Sequence, residues 1–370
     1  MLNRYLKHLL TGLSLVYLSS CKEKNAEIDP VEVSPSAALN TYPASLATDW
    51  QDLSLQLIKS TNGYVPPVAA RALAYINLGL YESTVYGTAN KSLAGQLTHI
   101  ETLPIPDINL EYNWGLAGNA ATYYLVKNLF SGTSIANFQK IETLRATYEV
   151  SLKSSGSTET IERSVKYGTE VAEAVWNYSK TDNGHEAFKN VFPTYALPEG
   201  LGIWKPVGTQ KALLPYWSRN TSFIKENSAT DPPKPIPFSY NSSSAFFKEA
   251  KEIYDMSKKL TADHRVIALF FADGAGSVTP PGHHMNVATE VLKLKESSLS
   301  VASETCVKMG LAINDAFIAC WRCKYRLTPS DRLRTLERRL TTTGLRLLAL
   351  HLFPNTLRGI LRVLVRRRKS

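Results

Sequence analysis

The sequence predicts an all-α helical bundle with long proline- and glycine-rich loops, on three observations. Apolar residues recur three and four apart through most of the middle of the chain. The apolar-polar alternation of half-buried strands is scarce. Pro and Gly gather between the periodic stretches instead of inside them. With 370 residues, 44% of them hydrophobic and 10% aromatic, the chain can bury a large core and is not of a disordered composition.

Taken in order, Leu73, Ile76 and Leu80 share one helix face, as do Ile161, Val165, Gly168, Val171 and Val175. Phe246, Ala250, Ile253 and Tyr254 do the same. Leu299, Ala302, Cys306, Met309, Ile313, Ala316 and Cys320 predict a long helix with one continuous buried stripe. Two long segments, 193–215 and 231–240, are rich in Pro and Gly and are read as ordered caps over a site. No repeat of fixed period is present.

The net charge of +10 is local. From Asp331 onward there are 11 Lys+Arg and 2 Asp+Glu, against totals of 42 and 32, so the chain before it is close to neutral. The tail also changes composition: ten of its eleven basic residues are Arg, whereas Lys predominates before it, and it has neither Trp nor Tyr. A nucleic-acid partner, which the overall charge would suggest, is not expected.

At the amino terminus, Arg4 and Lys7 precede the apolar run Leu9–Leu18, too short for a permanent membrane span. Leu18-Ser19-Ser20-Cys21 resembles a lipobox, which makes Cys21 the lipidation site. The expected organisation is a leader over 1–20, a tether over 21–40, a helical domain over 41–327 and a separate basic tail over 328–370. An exported lipoprotein, anchored in the cell envelope, follows from that reading. The remaining Cys306, Cys320 and Cys323 are an odd count, against a disulfide framework. A lone CxxC at 320–323 makes neither a four-ligand zinc site nor, without a strand-to-helix setting, a redox motif.

Three stretches together resemble the bacterial vanadium-dependent haloperoxidases of the acid phosphatase superfamily. They are Arg71-Ala-Leu-Ala-Tyr-Ile-Asn77 through Ser83; Phe270-Phe-Ala-Asp273-Gly with Thr279-Pro-Pro-Gly-His283-His284; and Asn314-Asp315 through Trp321, Lys324 and Tyr325. The second is similar to a family pattern of a helix end, a glycine turn and a TPPGH loop. The third resembles the helix that delivers the family's catalytic lysine, which implies that role for Lys324. His283, Asp315 and Trp321 are candidates to line the cavity. Adjacent His side chains diverge and no third ligand is evident, so His283 and His284 are not read as a metal site. The resemblance implies vanadate as cofactor of the intact family, with a small-molecule substrate.

In that family the lysine is followed by six residues and then Arg-Pro. Here Tyr325–Ser330 supply the six, and then Asp331-Arg332 stands where Arg-Pro belongs. A carboxylate aimed at a tetrahedral oxyanion would repel it.

The codon constraints of the tail suggest the cause. If each codon is built from the last base of one codon and the first two of the next, Ser330/Asp331 permits Arg and Asp331/Arg332 permits Pro. The junctions from Ala349/Leu350 to Ile360/Leu361 permit Thr-Pro-Pro-Phe-Pro-Glu-Tyr-Pro-Ser-Gly-His-Ser, which resembles the family's oxyanion loop. A frameshift just after Leu327 is therefore expected, with the carboxy-terminal part of the bundle missing and little or no activity. Loss of that part is also expected to leave the stripe Leu299–Cys320 exposed.

Two other readings stand beside this one. The tail can be a genuine basic helix lying on an anionic membrane. The chain can also be a helical nutrient-binding lipoprotein, with Trp204 and Trp217 gripping a carbohydrate. The oligomeric state is left open.

Overall fold

Ten helices follow one another in the computed structural model, which describes residues 36–153, 156–199, 206, 208–228, 236–274 and 276–327. They are α1 (Ser45–Ser60), α2 (Pro66–Thr84), α3 (Trp114–Leu129), α4 (Ile135–Lys153), α5 (Thr158–Ser179), the single turn α6 (Lys225–Ser228), α7 (Ala245–Ser257), α8 (Ala262–Phe270), α9 (Thr279–Leu294) and α10 (Leu299–Arg322). No strand occurs among the described residues; two isolated bridges, Pro43 with Ser298 and Leu97 with Ile100, are all the β pairing there. The leader with Cys21, the tether up to residue 35 and the tail from 328 lie outside the described residues. Chain already belongs to the core at Leu39, which is fully buried.

Local chemistry sets the helix starts. Side chains of Asn113, Ser157, Ser244 and Ser298 accept from backbone amides three residues on, opening α3, α5, α7 and α10. Thr261 and His264 form a reciprocal capping box at α8. Pro-Pro opens α2 and follows Thr279 in the first turn of α9, which presets the helical φ where a missing N–H costs nothing. This corrects one expectation: Thr279-Pro-Pro-Gly-His283-His284 is the first turn and a half of α9, not a loop.

Every residue of α2 after Pro66 is buried, so it is apolar nearly all round and forms the centre of the bundle. It packs against α3, α5, α9 and α10. Its single cation, Arg71, donates from Nε to Asp182 at 2.7 Å and from a terminal nitrogen to the Ser179 carbonyl at the end of α5. Tyr75, one turn on, donates to the same Asp182 oxygen at 2.9 Å. Burial pulls the guanidinium pKa down, but the Asp182 carboxylate and Tyr75 more than reverse this, so Arg71 stays charged. Asn77 accepts from Gln51 of α1 and donates to Leu73 O, which satisfies the polar centre of the helix.

The stripe on α10 is covered. Leu299, Ala302, Cys306 and Ala316 are buried, with Met309, Ile313 and Cys320 half-buried, because α10 lies along α2. The expectation of an exposed Leu299–Cys320 face is therefore wrong: described residues of α2 and its neighbours supply its cover. The stripe of α7 is the contrasting case, since only Phe246 of it is buried.

Two glycines test where the bundle is tightest. A Cβ on Gly168 of α5 would lie 2.1 Å from the Ala117 carbonyl oxygen of α3, whereas one on Gly79 of α2 would lie 2.1 Å from a Leu125 methyl group. Backbone cannot yield and a leucine rotamer can, so Gly168→Ala is expected to cost about 3 kcal/mol or more and Gly79→Ala distinctly less. Urea unfolding of the two variants checks the order.

Candidate functional site

The carboxy-terminal turns of α10 bring Asp315, Trp321 and Lys324 to one end of the bundle, against the loop that runs from Val191 to α6. Asp315 is buried. Its carboxylate accepts from the amides of Phe223 at 2.8 Å and Ile224 at 3.0 Å, from Asn227 Nδ2 at 2.9 Å and from Asn314 Nδ2 at 3.3 Å. Burial pushes this carboxyl up, and the four donors only partly pull it back. Its chemistry is that of a clasp on loop 222–227.

Further along the chain, Trp321 Nε1 and the Tyr325 hydroxyl both donate to the Leu213 carbonyl at 3.0 Å. These two bonds dock the descending part of the loop on the last turn of α10. Tyr325 is also edge-on to Tyr195, and Tyr195 to Tyr216, so aromatic rings line this end of the molecule. Of the 193–215 segment, Leu213 is thus docked on the end of α10; residues 200–205, 207 and 231–235 lie outside the description.

Lys324 follows Arg322 and Cys323 in a π turn, Cys323–Leu327, that ends the helix. Its side chain is exposed, and its ammonium stands 4.6 Å from the centre of the Trp321 ring. Burial raises the Cys320 thiol, and the nearby Lys324 charge only offsets part of that rise. The Cys306 thiol is pushed up to about 12 by burial alone. Neither has the depressed thiol of a redox cysteine.

His283 belongs to a different neighbourhood. Its Nδ1 lies 3.1 and 3.2 Å from the two oxygens of Asp273, and its ring stacks on Phe271 and meets Phe270 edge-on. His284 Nδ1 contacts the Pro280 carbonyl at 2.8 Å. All these partners lie within residues 270–284. His283 therefore fixes the turn between α8 and α9. Among the described residues no group of three or more His, Cys, Asp or Glu could hold a metal ion.

The Arg71, Tyr75 and Asp182 centre was missed in sequence, although Arg71 opens one of the quoted stretches; nothing there marks Asp182, 111 residues away, as its partner. Trp217, the proposed carbohydrate gripper, is 97% buried and unavailable to a ligand, since only 3% of it is exposed. Trp204 lies outside the described residues.

A tetrahedral oxyanion needs converging positive charge and hydrogen-bond donors. Among the described residues Lys324 alone matches the cation set that the resemblance implies, and Asp315 is committed to backbone amides, so the described residues do not by themselves make up a vanadate site.

The sequence matches no family model and no curated protein. Among solved structures, a bacterial vanadium-dependent iodoperoxidase, described as the first of its kind, is similar in fold: TM-score 0.70 at 25% identity, over 80% of this chain and 73% of that one.

Because burial outweighs its donors, Asp315 titrates above its unfolded value of about 3.9. Its contribution to stability is then complete below the unfolded value and is lost as pH rises through the folded one. Asp315→Asn abolishes this titration and leaves backbone donors poorly paired, costing about 1–3 kcal/mol at pH 7. Urea unfolding should show a wider gap between native chain and variant at pH 4 than at pH 7; a gap that widens with pH would contradict the assignment.

Proposed function

We propose that this chain, whose all-α fold is that of the vanadium-dependent haloperoxidases, is the amino-terminal part of such an oxyanion-binding enzyme, interrupted by a frameshift and itself inactive. Lys324 carries the reading. It is an exposed ammonium at the end of α10, held over Trp321, and Asp331 stands seven residues on where a second cation belongs. One ammonium does not neutralise a bound oxyanion, and a carboxylate in place of a guanidinium opposes it.

The intact gene is then proposed to encode a vanadate-dependent enzyme that oxidises halide with peroxide, or a relative that hydrolyses phosphate esters. Lys324 would be one of several cations on the oxyanion. Export and anchoring through an acylated Cys21 place it in the cell envelope, probed by its own small-molecule substrate and by no nucleic acid. Among the described residues no helix is long and apolar enough to cross a membrane, so on this reading the lipid supplies the attachment.

The test is to restore the second frame after Leu327 and to assay both proteins with vanadate, hydrogen peroxide and iodide, and separately with a phosphate ester. The restored protein should turn over in one of the two assays, and Lys324→Ala in it should lower the rate about 100-fold or more. This chain should give less than about 1% of the restored rate. Equal rates, or a restored protein inert in both assays, would refute the proposal.

A further inference from the structure

Helix α8 turns its apolar surface outward. Val266, Ile267, Leu269 and Phe270 are each 48–66% exposed, Phe271 just beyond the helix is 51% exposed, and only Ala268 is buried. At about 100° per residue the four helical positions fill an arc of about 160° centred opposite Ala268. A surface helix packed on protein buries a stripe of roughly 100°, so this arc is wider than a single neighbouring helix needs.

Positive charge borders the arc. Arg265 lies about 40° beyond Leu269 on the same helix, and Lys258 and Lys259 shortly precede α8; all three are exposed. Asp263, the one acid in residues 256–272, falls within the arc but in the first turn, where the helix N-terminus favours it. Three cations against one carboxylate leave the segment net positive. On α7 before it, Lys248 and Lys251 are set against Glu249, Glu252 and Asp255, with Lys251 paired to Asp255 at 2.5 Å, so α7 adds no further positive charge. A short helix with an outward face of Phe, Leu, Ile and Val, edged by Lys and Arg, has the pattern of one that lies in the plane of an anionic membrane surface.

We infer that α8 is a membrane-contact helix: Val266, Leu269, Phe270 and Phe271 enter the headgroup boundary of an anionic phospholipid surface, with Lys258, Lys259 and Arg265 on its phosphates. The tether permits this placement. Cys21 to Ser36 is 15 residues, at most about 50 Å when extended. The chain then joins the body beside the α9–α10 turn, where Ala44 N donates to Ser297 O at 2.9 Å and Leu299 N to Tyr42 O at 2.7 Å. The 16 residues of α9, about 24 Å, separate that turn from the one that follows α8. An acyl anchor on Cys21 therefore reaches the membrane that α8 touches. That reach rests on the acylation proposed above, whereas the arc and its charge stand without it.

The test is hydroxyl-radical footprinting of the mature chain from position 21 with Cys21→Ser, which carries no acyl group, against vesicles of phosphatidylglycerol or of phosphatidylcholine. Peptides holding 266–271 should oxidise at least about fivefold more slowly with phosphatidylglycerol than with phosphatidylcholine, while Ile135 and Val150, exposed on α4, keep their rate. Lys258→Gln/Lys259→Gln should raise the lipid concentration needed for that protection about tenfold or more. Leu269→Ser/Phe270→Ser, at two exposed positions, should abolish the protection and leave the Tm within about 2 °C. Equal oxidation of 266–271 with and without phosphatidylglycerol overturns the inference. So does protection that appears without lipid as protein concentration rises, which marks a second copy of this chain as the partner, and so does equal protection of α4, which marks a coating without a preferred face. Protection in the Cys21→Ser chain sustains the inference whatever the state of Cys21; absence of an acyl group on the native chain by mass spectrometry sinks the anchoring proposal alone.

Discussion

A guanidinium inside an apolar bundle must be met by a carboxylate, and that requirement decides how α2 and the end of α5 lie against each other. Removing either partner of such a buried pair strands a charge and costs about 3–5 kcal/mol. Arg71 is met by the Ser179 carbonyl at the end of α5 and by Asp182 just past it, and Tyr75 donates to the same carboxylate. With α2 held at that level, its other faces are free to bury α3, α9 and α10. The direction of α10, and so the place where Lys324 emerges, follows from that central helix.

The apolar spacing of α5 and α10 was legible because each buries a face of regular period, whereas α2 is buried all round and its spacing marks a helix but no face. The stripe Leu299 to Cys320 was also read as one helix, which it is, from Leu299 to Arg322. Which neighbour covers a stripe is not written in its period, and for that reason α10 was expected bare and α8 was not. The Pro-Pro of α9 shows a related limit: the same residues punctuate loops and open helices, and only the position of the following turn separates the two. Long-range partners such as Asp182, or the Phe223 and Ile224 amides on Asp315, are set by chain reversal and leave no local trace.

Of the candidate site, the residue types were legible but their roles were divided by geometry. Asp315 and Trp321 hold loops on the last turns of α10, and His283 holds the α8–α9 turn. Lys324 is exposed, with its ammonium over the Trp321 ring. What the described residues show is a well-packed all-α body in which α10 ends on an exposed Lys324.

The nucleotide sequence of the gene, from the Cys320 codon to several hundred bases beyond Ser370, tests the proposed interruption most directly. The account requires a second frame that continues through Arg-Pro and Pro-Ser-Gly-His into further helical sequence. Codons that place stops or unrelated residues in that frame would contradict it, and would make the basic tail a genuine part of a protein without an oxyanion site.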